Sequence, residues 1–222
     1  TETVGALNME TGYHVVTVSP NALQSTQIAF ANITRGNRST LFVRGTGLGT
    51  ILGPNVGQIV SVGGVGPRVG GGGGANTTNI SIVPYAYGNA AVATADSVHV
   101  TNGATGFRPL NVLTEYFANL AGAGATDNVN LTITQAVAPG GQTVNALRAA
   151  PGAAINITGG AGDVLTVTSG SIVVSPAAGA TLTTIAAPLT FGAAEGSFHA
   201  NGGTLAAAGT FGGLEVSGVI SG

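Results

Sequence analysis

The feature that most constrains this chain is a period of two in hydrophobicity that recurs along almost its whole length. In each such segment, apolar residues alternate with Ser, Thr or Asn, and β-branched side chains are frequent. Successive side chains of a strand point to opposite faces, so this pattern predicts β-strands with one buried face. The predicted strands lie at 14–19, 40–45, 79–86, 97–102, 128–137, 154–159, 164–169, 171–175 and 181–186. We therefore expect an all-β fold.

One stretch, "PLNVLTEYFANLAG" at 109–122, also allows a short helix near 109–121. Pro109 suits the first turn of a helix and Gly122 suits its end. The apolar residues between them recur at helical spacings. Val112 and Tyr116 are equally compatible with a strand and a loop, so both structures remain open here.

The region 142–222 contains a loosely repeated unit, a short apolar segment followed by a Gly or Asn corner. Short strands joined by tight corners favour a parallel β-solenoid, in which each coil buries its inner face against the next. A β-sandwich or jelly roll is the alternative, since it also needs many short alternating strands. The chain has 5% aromatic residues and no tryptophan, which favours the solenoid. We expect one domain over 1–222, with the clearest coils at 142–222.

Composition excludes several classes of function. Charged residues make up only 6% of the 222 residues, the net charge is −2, and all six cations are arginines scattered along the chain. Nucleic-acid binding needs clustered cations, so it is not expected. The absence of lysine and cysteine removes Schiff-base chemistry, disulfides and thiolate metal sites. No apolar run is long enough for a membrane-spanning helix, so no membrane insertion of this chain is expected.

Five consecutive glycines in "RVGGGGGAN", at 68–76, interrupt the alternating pattern. A phosphate-binding loop would continue with Lys and then Ser or Thr, whereas this run continues with Ala75 and Asn76. Because strand-like sequence lies on both sides, a linker between domains is also disfavoured. We predict a surface loop at about 63–75, ordered by contact with a neighbouring subunit if it is ordered at all.

Few residues suggest catalysis or metal binding. Asp163 and Glu195 lie in adjacent repeat units and are the best pair for sugar hydrolysis, although Asp163 in "GAGDVL" fits a turn more simply. Each histidine stands alone in a strand pattern, without a second one at metal-ligand spacing. We expect no enzyme activity, no cofactor and no metal, with a polysaccharide-degrading enzyme as the remote alternative.

Two pairs of residues are candidates for contact with glycans. Tyr85 and Tyr87 in "PYAYG" share one strand face and could stack on a sugar, or be a buried aromatic pair. Asn76 and Asn79 stand in Asn-x-Ser/Thr triplets beside the glycine run and are possible glycosylation sites. The simpler interpretation of these triplets is that Asn and Thr are common on solvent faces.

Several segments resemble the autotransporter-associated β-strand repeats of large secreted bacterial surface proteins. They are "QTVNALRA", "LTVTSGSIVV", "LTFGAAEGSFH" and "LEVSGVISG", and upstream "IAFANITRGNRSTLFVRGTGLG", "ISIVPYAYG" and "TGFRPLNVLTEYF" are similar to segments that precede such repeats. The resemblance implies a right-handed parallel β-helix, secreted and displayed on the surface of a bacterium as a stalk or fibre. No membrane β-barrel segment is visible, and the repeats stop at "GVISG".

These observations predict an extracellular structural protein whose solenoid subunits stack into a fibre, stalk or surface layer. An exposed solenoid end presents backbone hydrogen-bonding groups and an apolar cross-section, and head-to-tail pairing of identical subunits satisfies both. Low charge removes much of the repulsion between subunits. The expected partner is therefore the chain itself, as a homo-oligomer or filament. The alternative is a carbohydrate-binding adhesin domain with glycans as partners.

Overall fold

The computed structural model describes residues 1–92, 96–150, 152–175, 182–201 and 213–221, and these form β-strands and turns but no helix. The all-β prediction is confirmed for this part of the chain. The predicted repeat sequence at 202–212 lies outside it. Contacts within the chain define two compact units, the first from 1–68, 82–94 and 98–110, and the second from 69–81, 95–97 and 111–222. The prediction of one domain over 1–222 stays a prediction.

Unit 1 has ten short strands among its described residues. They are β1 (Glu2–Val4), β2 (Leu7–Met9), β3 (Tyr13–Val18), β4 (Thr26–Phe30), β5 (Ile33–Arg35), β6 (Thr40–Gly45), β7 (Gly57–Ser61), β8 (Ala86–Asn89), β9 (Val98–Gly103) and β10 (Gly106–Pro109). Strands β1, β2 and β3 pair in parallel with β4, β5 and β6, and β7 and β8 continue two of these sheets. In the five-stranded sheet, β9 pairs antiparallel with β8, and β10 pairs antiparallel with β9 at the edge. The core of the unit includes Leu41, Val43, Ile59, Val100 and Phe107, none of which is exposed.

The described residues of unit 2 form twelve strands. They are β11 (Asn128–Leu131), β12 (Gln135–Ala136), β13 (Gln142–Val144), β14 (Ala146–Ala149), β15 (Ile155–Thr158), β16 (Leu165–Val167), β17 (Ser171–Val174), β18 (Leu182–Ile185), β19 (Leu189–Thr190), β20 (Ser197–Ala200), β21 (Gly213–Val216) and β22 (Ile220–Ser221). They form three four-stranded parallel sheets, and each strand pairs with the strand three places later. We call three consecutive strands, one from each sheet, a triplet; the last triplet is β20, β21 and β22.

Parallel register in unit 2 places like residues on top of one another. One inward column runs Val129, Leu147, Ile172 and Phe198, a second runs Ile157, Ile185 and Val216, and a third runs Leu165, Leu189 and Ile220. Residues of the earlier triplets in these columns are completely buried. Burying one such aliphatic side chain stabilises the fold by roughly 1.5–3 kcal/mol. The apolar residues of the alternating segments therefore form the core of unit 2.

Two predictions about this architecture are corrected or limited. The strands of unit 2 pair in parallel, whereas sandwiches and jelly rolls are antiparallel folds, so that alternative does not describe this unit. The finer prediction of a parallel β-helix stays a prediction.

The predicted short helix near 109–121 is wrong. Strand β10 extends to Pro109, and the chain then turns at Asn111, whose carbonyl accepts the N–H of Glu115 and whose Oδ1 accepts the N–H of Leu113. Asn side chains that bond nearby backbone N–H groups compete with helix formation. Leu113 is 87% exposed, so the apparent helical stripe is not a buried face.

The predicted strand at 79–86 is wrong for most of its length, because β8 begins only at Ala86. Pro84 has no N–H to give to a sheet, and it occupies a turn in which the N–H of Ala86 donates to the carbonyl of Val83. Proline is favoured at the second position of such turns. The predicted strand is therefore interrupted by this turn, and Ile80, before it, forms only an isolated bridge with Gly73.

Candidate functional site

The last triplet exposes the ends of the inward columns of unit 2. Phe198 is 41% exposed and Ile220 is 52% exposed, whereas Ile172 and Leu189, one triplet earlier, are completely buried. Val219, beside Ile220, is 74% exposed. Inward positions that are buried in the preceding triplet are thus partly exposed in the last one.

The strands of this triplet each stand last in a sheet. β21 pairs with β18 and β22 pairs with β19, and no other described strand pairs with β21 or β22. A strand in this position directs a row of backbone donors and acceptors away from its neighbour. Glu215 is the carboxylate of this triplet in the described residues, and its Oε2 lies 3.4 Å from Oγ1 of Thr184. In the described residues, β21 and β22 therefore each have one edge without a paired strand.

A second feature of unit 2 is the segment Asp96–Ser97, which we call the strap. The carbonyl of Ser97 accepts from Nε of Arg148 at 3.0 Å, and its N–H donates to Oγ of Ser175 at 2.8 Å. Its Oγ lies 3.1 Å from Nε2 of His199. Arg148 belongs to β14, Ser175 follows β17, and His199 belongs to β20. One residue of the strap thus bonds to three successive triplets.

Asp96 adds a charge to this cluster. Its Oδ1 lies 2.5 Å from Nη2 of Arg148 and accepts from Oγ of Ser175 at 2.8 Å. The Arg148 side chain is 5% exposed and that of Asp96 is 53% exposed. Arg148 also donates from Nη1 to Oδ1 of Asn130 at 2.7 Å. A nearly buried guanidinium is stable only with such partners, because its desolvation is otherwise uncompensated.

His199 lies on the same outward column as Asn130 and Arg148. Burial lowers the pKa of its imidazole from 6.5 to about 4, so the ring is neutral at pH 7. Its Nε2 can then accept the hydroxyl proton of Ser97, whose Oγ also accepts from Nδ2 of Asn201 at 3.2 Å. A nucleophilic serine needs an accessible hydroxyl beside a base titrating near the working pH, and Ser97 is completely buried. The geometry of Ser97 therefore suits a structural bond between the strap and the sheet better than it suits catalysis.

Tyr85 and Tyr87, the candidates for glycan stacking, are both buried, with 6% and 0% of their surface exposed. The hydroxyl of Tyr85 donates to the carbonyl of Val65, and the guanidinium of Arg35 lies 4.9 Å from its ring centroid. Burial raises the pKa of Tyr85, and the nearby charge of Arg35 opposes that rise. Tyr87 packs near His99, with 6.2 Å between ring centroids. Neither ring offers an exposed face to a sugar.

The glycine run is ordered by contacts within its own unit. The N–H groups of Gly71 and Gly73 donate to the carbonyl of Asn79, and that of Gly72 donates to Oγ of Ser81. These bonds account for its order without a neighbouring subunit. The residues from Gly70 to Asn76 are exposed or half-buried, whereas Val65 is buried. The surface loop at about 63–75 stays a prediction.

The two possible glycosylation sites stand in this same region. Asn76 is exposed, its N–H donates to Oε1 of Glu115, and its Oδ1 accepts from Oγ1 of Thr114. Asn79 is half-buried against the glycines. Glycosylation of either residue stays a prediction.

Asp163 has the role of a turn residue. Its Oδ1 accepts the N–H of Gly140 and its Oδ2 accepts the N–H of Gly160, which are 2.9 Å away in each case. In the described part of the chain, no group of three or more His, Asp or Glu side chains could hold a metal ion. The described residues also include no helix that could cross a membrane.

Comparisons with known proteins do not assign the chain to a family. It matches no protein-family model, no curated protein and no solved structure. The resemblance to autotransporter-associated repeats therefore stays a prediction.

The strap is the part of this site that sequence reasoning missed. Arg148 carries the one signal, a charged residue within an apolar strand of a chain that is only 6% charged. An isolated cation in a strand indicates a buried partner, but nothing in the sequence connects it to Asp96 or Ser97.

Proposed function

We propose that unit 2 is a parallel β-helix and that this protein is a structural component that extends by stacking triplets of successive copies. Support for the β-helix comes from the pairing of each strand with the strand three places later, in parallel and in constant register. In a solenoid each layer buries its inner face against the next, so the architecture accepts further layers of the same kind.

The observation that carries the assembly proposal is the exposure of Ile220 and Phe198 at the ends of columns that are otherwise buried. A partner that covers them must present a strand layer of matching spacing and apolar inward positions. A second copy of this chain contains such layers, so we take it as the occupant. Covering this surface removes apolar area from water and satisfies the backbone groups of β21 and β22.

The charge of the chain favours such association. Only 6% of its residues are charged and the net charge is −2, so repulsion between copies is weak. Stacking one end of a subunit on a different surface of the next is a heterologous contact, and such contacts generate open filaments when they do not close into rings. We further propose that the fibre or layer is extracellular, on the resemblance to secreted surface repeats.

Electron microscopy of the purified chain over a series of concentrations tests this function. We expect rods or sheets with a regular repeat, and light scattering should show mass rising with concentration. Monodisperse single chains at every concentration would contradict the proposal. Particles that stay discrete and bind a glycan would instead favour the adhesin alternative.

A further inference from the structure

The solvent side of strand β3 presents a tyrosine that is largely accessible. Burial alternates along this strand, and Val16 and Val18 pack in or against the core of unit 1. Tyr13, Val15 and Thr17 therefore face outward. Tyr13 is 53% exposed and Val15 is 47% exposed. We call the outward residues of β3 and of its parallel neighbour β6 the outer surface; they are Tyr13, Val15, Thr17, Thr40, Phe42 and Arg44.

The ring of Tyr13 rests against a buried aromatic neighbour. Phe42 is 7% exposed, and its ring centroid lies 6.3 Å from that of Tyr13 at an interplanar angle of 38°. Such a contact restricts the tyrosine side chain and so lowers the entropy lost when a ligand binds. A tyrosine ring combines an apolar face with a hydroxyl, which suits a sugar, because a pyranose has apolar C–H faces and hydroxyl groups. Tyr13 thus has the exposure that Tyr85 and Tyr87 lack.

The outer surface also contains a guanidinium without a carboxylate partner. Arg44 lies opposite Thr17 in the register, and its Nε donates to Oγ1 of Thr17 at 2.9 Å. Among the described residues, the guanidinium makes no other hydrogen bond and no ion pair. Both Nη groups can therefore donate to an anion, and a carboxylate fits their fork. Partial burial raises the pKa of Tyr13 and the charge of Arg44 opposes that rise, so the guanidinium lies within electrostatic reach of the tyrosine.

These groups lie in a row along one pair of strands, which favours an extended ligand. Tyr13 and Thr17 are four positions apart on β3, so their Cα atoms are separated by roughly 13 Å. A sugar chain spans this distance with more than one ring. Oγ1 of Thr17 accepts from Arg44 and retains its own hydrogen for a ligand hydroxyl. The row therefore provides a stacking position at one end and polar donors at the other.

The charge of the outer surface selects among ligands that combine rings with anions. A nucleic acid has both, but its binding needs clustered cations. Arg44 is the single charged residue of the outer surface, and the chain as a whole has a net charge of −2. A saccharide with one carboxylate per acidic ring needs only one such partner. The surface therefore favours an acidic saccharide.

We propose that the outer surface of β3 and β6 binds a uronic-acid saccharide chain, with one sugar ring stacked on Tyr13 and the carboxylate of a neighbouring ring paired with Arg44. Val15 lies between these two positions and contributes apolar contact area. The inference does not depend on the assembly proposed above, since every group in it belongs to two neighbouring strands of unit 1.

Isothermal titration calorimetry of the unaltered chain with two probes, an oligomer of galacturonic acid and an oligomer of hyaluronan, tests this site. We expect at least one probe to bind, and its methyl ester, which has the same rings without the charge, to bind about tenfold more weakly. Arg44→Gln keeps a donor for Thr17 and removes the charge. It should lower affinity for the acid about tenfold and leave affinity for the ester nearly unchanged. Tyr13→Ala should lower affinity for both forms, whereas Tyr13→Phe should retain most of it.

Arg38→Gln is the matched control, because Arg38 is exposed and does not belong to the outer surface. This variant should bind like the unaltered chain. Absence of binding by both probes at millimolar concentration would overturn the proposal, and so would equal affinity for acid and ester. An oligothymidylate that binds as tightly as the uronic acid would indicate general attraction of polyanions and would also overturn it. Should Arg44→Gln fail to fold, the comparison of acid with ester on the unaltered chain still decides.

Discussion

Arg148 and Asp96 form an ion pair across 52 positions of sequence, with 2.5 Å between Nη2 and Oδ1. The guanidinium also bonds to the carbonyl of Ser97 and to Oδ1 of Asn130, so it is shared by a strand neighbour and by the strap. This convergence makes Arg148 the centre of the polar cluster in unit 2.

Replacing Arg148 by alanine should lower the free energy of unfolding by about 3 kcal/mol, because several bonds to nearly buried groups are lost together. Urea unfolding followed by circular dichroism measures this change. Arg38→Ala is the matched control: Arg38 is exposed, so its loss should change stability by less than about 0.5 kcal/mol. Equal effects of the two substitutions would show that the cluster adds no stability.

The stability of unit 2 should depend on His199. Its folded pKa of about 4 lies below the unfolded value of 6.5, so the unfolded chain takes up the proton first as pH falls. The contribution is complete above about pH 6.5 and is lost progressively down to about pH 4. The loss is at most about 3 kcal/mol. Unfolding free energies measured across this range should show less slope in His199→Gln, and an unchanged slope would contradict the assignment.

Two glycines of the same run should respond differently to alanine. Gly70 has a φ of +145°, and a Cβ there would lie 2.8 Å from Cα of Ser81, whereas a Cβ at Gly74 meets nothing within 4 Å. Gly70→Ala should therefore cost about 2 kcal/mol through backbone strain and close contact. Gly74→Ala should be neutral or slightly stabilising. Thermal unfolding of both variants tests the difference. An unchanged melting temperature in Gly70→Ala would contradict the close packing of Gly70 against Ser81.

Thr183 offers a stabilising substitution. It is completely buried on the inward face of β18, between Ile155 and Leu214, and its Oγ1 has no hydrogen-bond partner among the described residues. Thr183→Val removes this unsatisfied hydroxyl and should raise the free energy of unfolding by about 1 kcal/mol. Thr184→Val, on the outward face, is the control and should have little effect. Destabilisation by the Thr183 change would indicate a hidden partner.

Assembly should depend on the last triplet. Ile220→Lys places a charge at the exposed end of an inward column, where a stacked copy would have to bury it, so rods should disappear from micrographs. Ile51→Lys changes the same residue type at a site that is 84% exposed in a loop of unit 1, and it should leave assembly intact. If both variants assemble like the unaltered chain, another surface mediates association.

Local pattern predicted several strands closely, but the segment predicted as one strand at 128–137 is two strands, β11 and β12. β6 matches the prediction at 40–45, and β17 and β18 match within one or two residues at each end. Two predictions failed where a residue favours a turn. Asn111 forms a turn in place of the predicted helix, and Pro84 lies in a turn within the predicted strand at 79–86. Alternation reports burial on one face, and it carries no information about side chains that bond to nearby backbone groups.

The sequence by itself determined the all-β class, the absence of thiol and lysine chemistry, and the short repeated layers of 142–222, because these follow from residue types and a period of two. Only the tertiary structure decided the burial of Tyr85 and Tyr87, the parallel register that stacks Ile220 on Leu189, and the meeting of Asp96 and Ser97 with Arg148 and His199. The physical reason is the separation in sequence of the residues that interact. Alternation is a property of neighbouring residues, whereas the strap joins positions up to 104 residues apart, and their pairing depends on how whole strands stack.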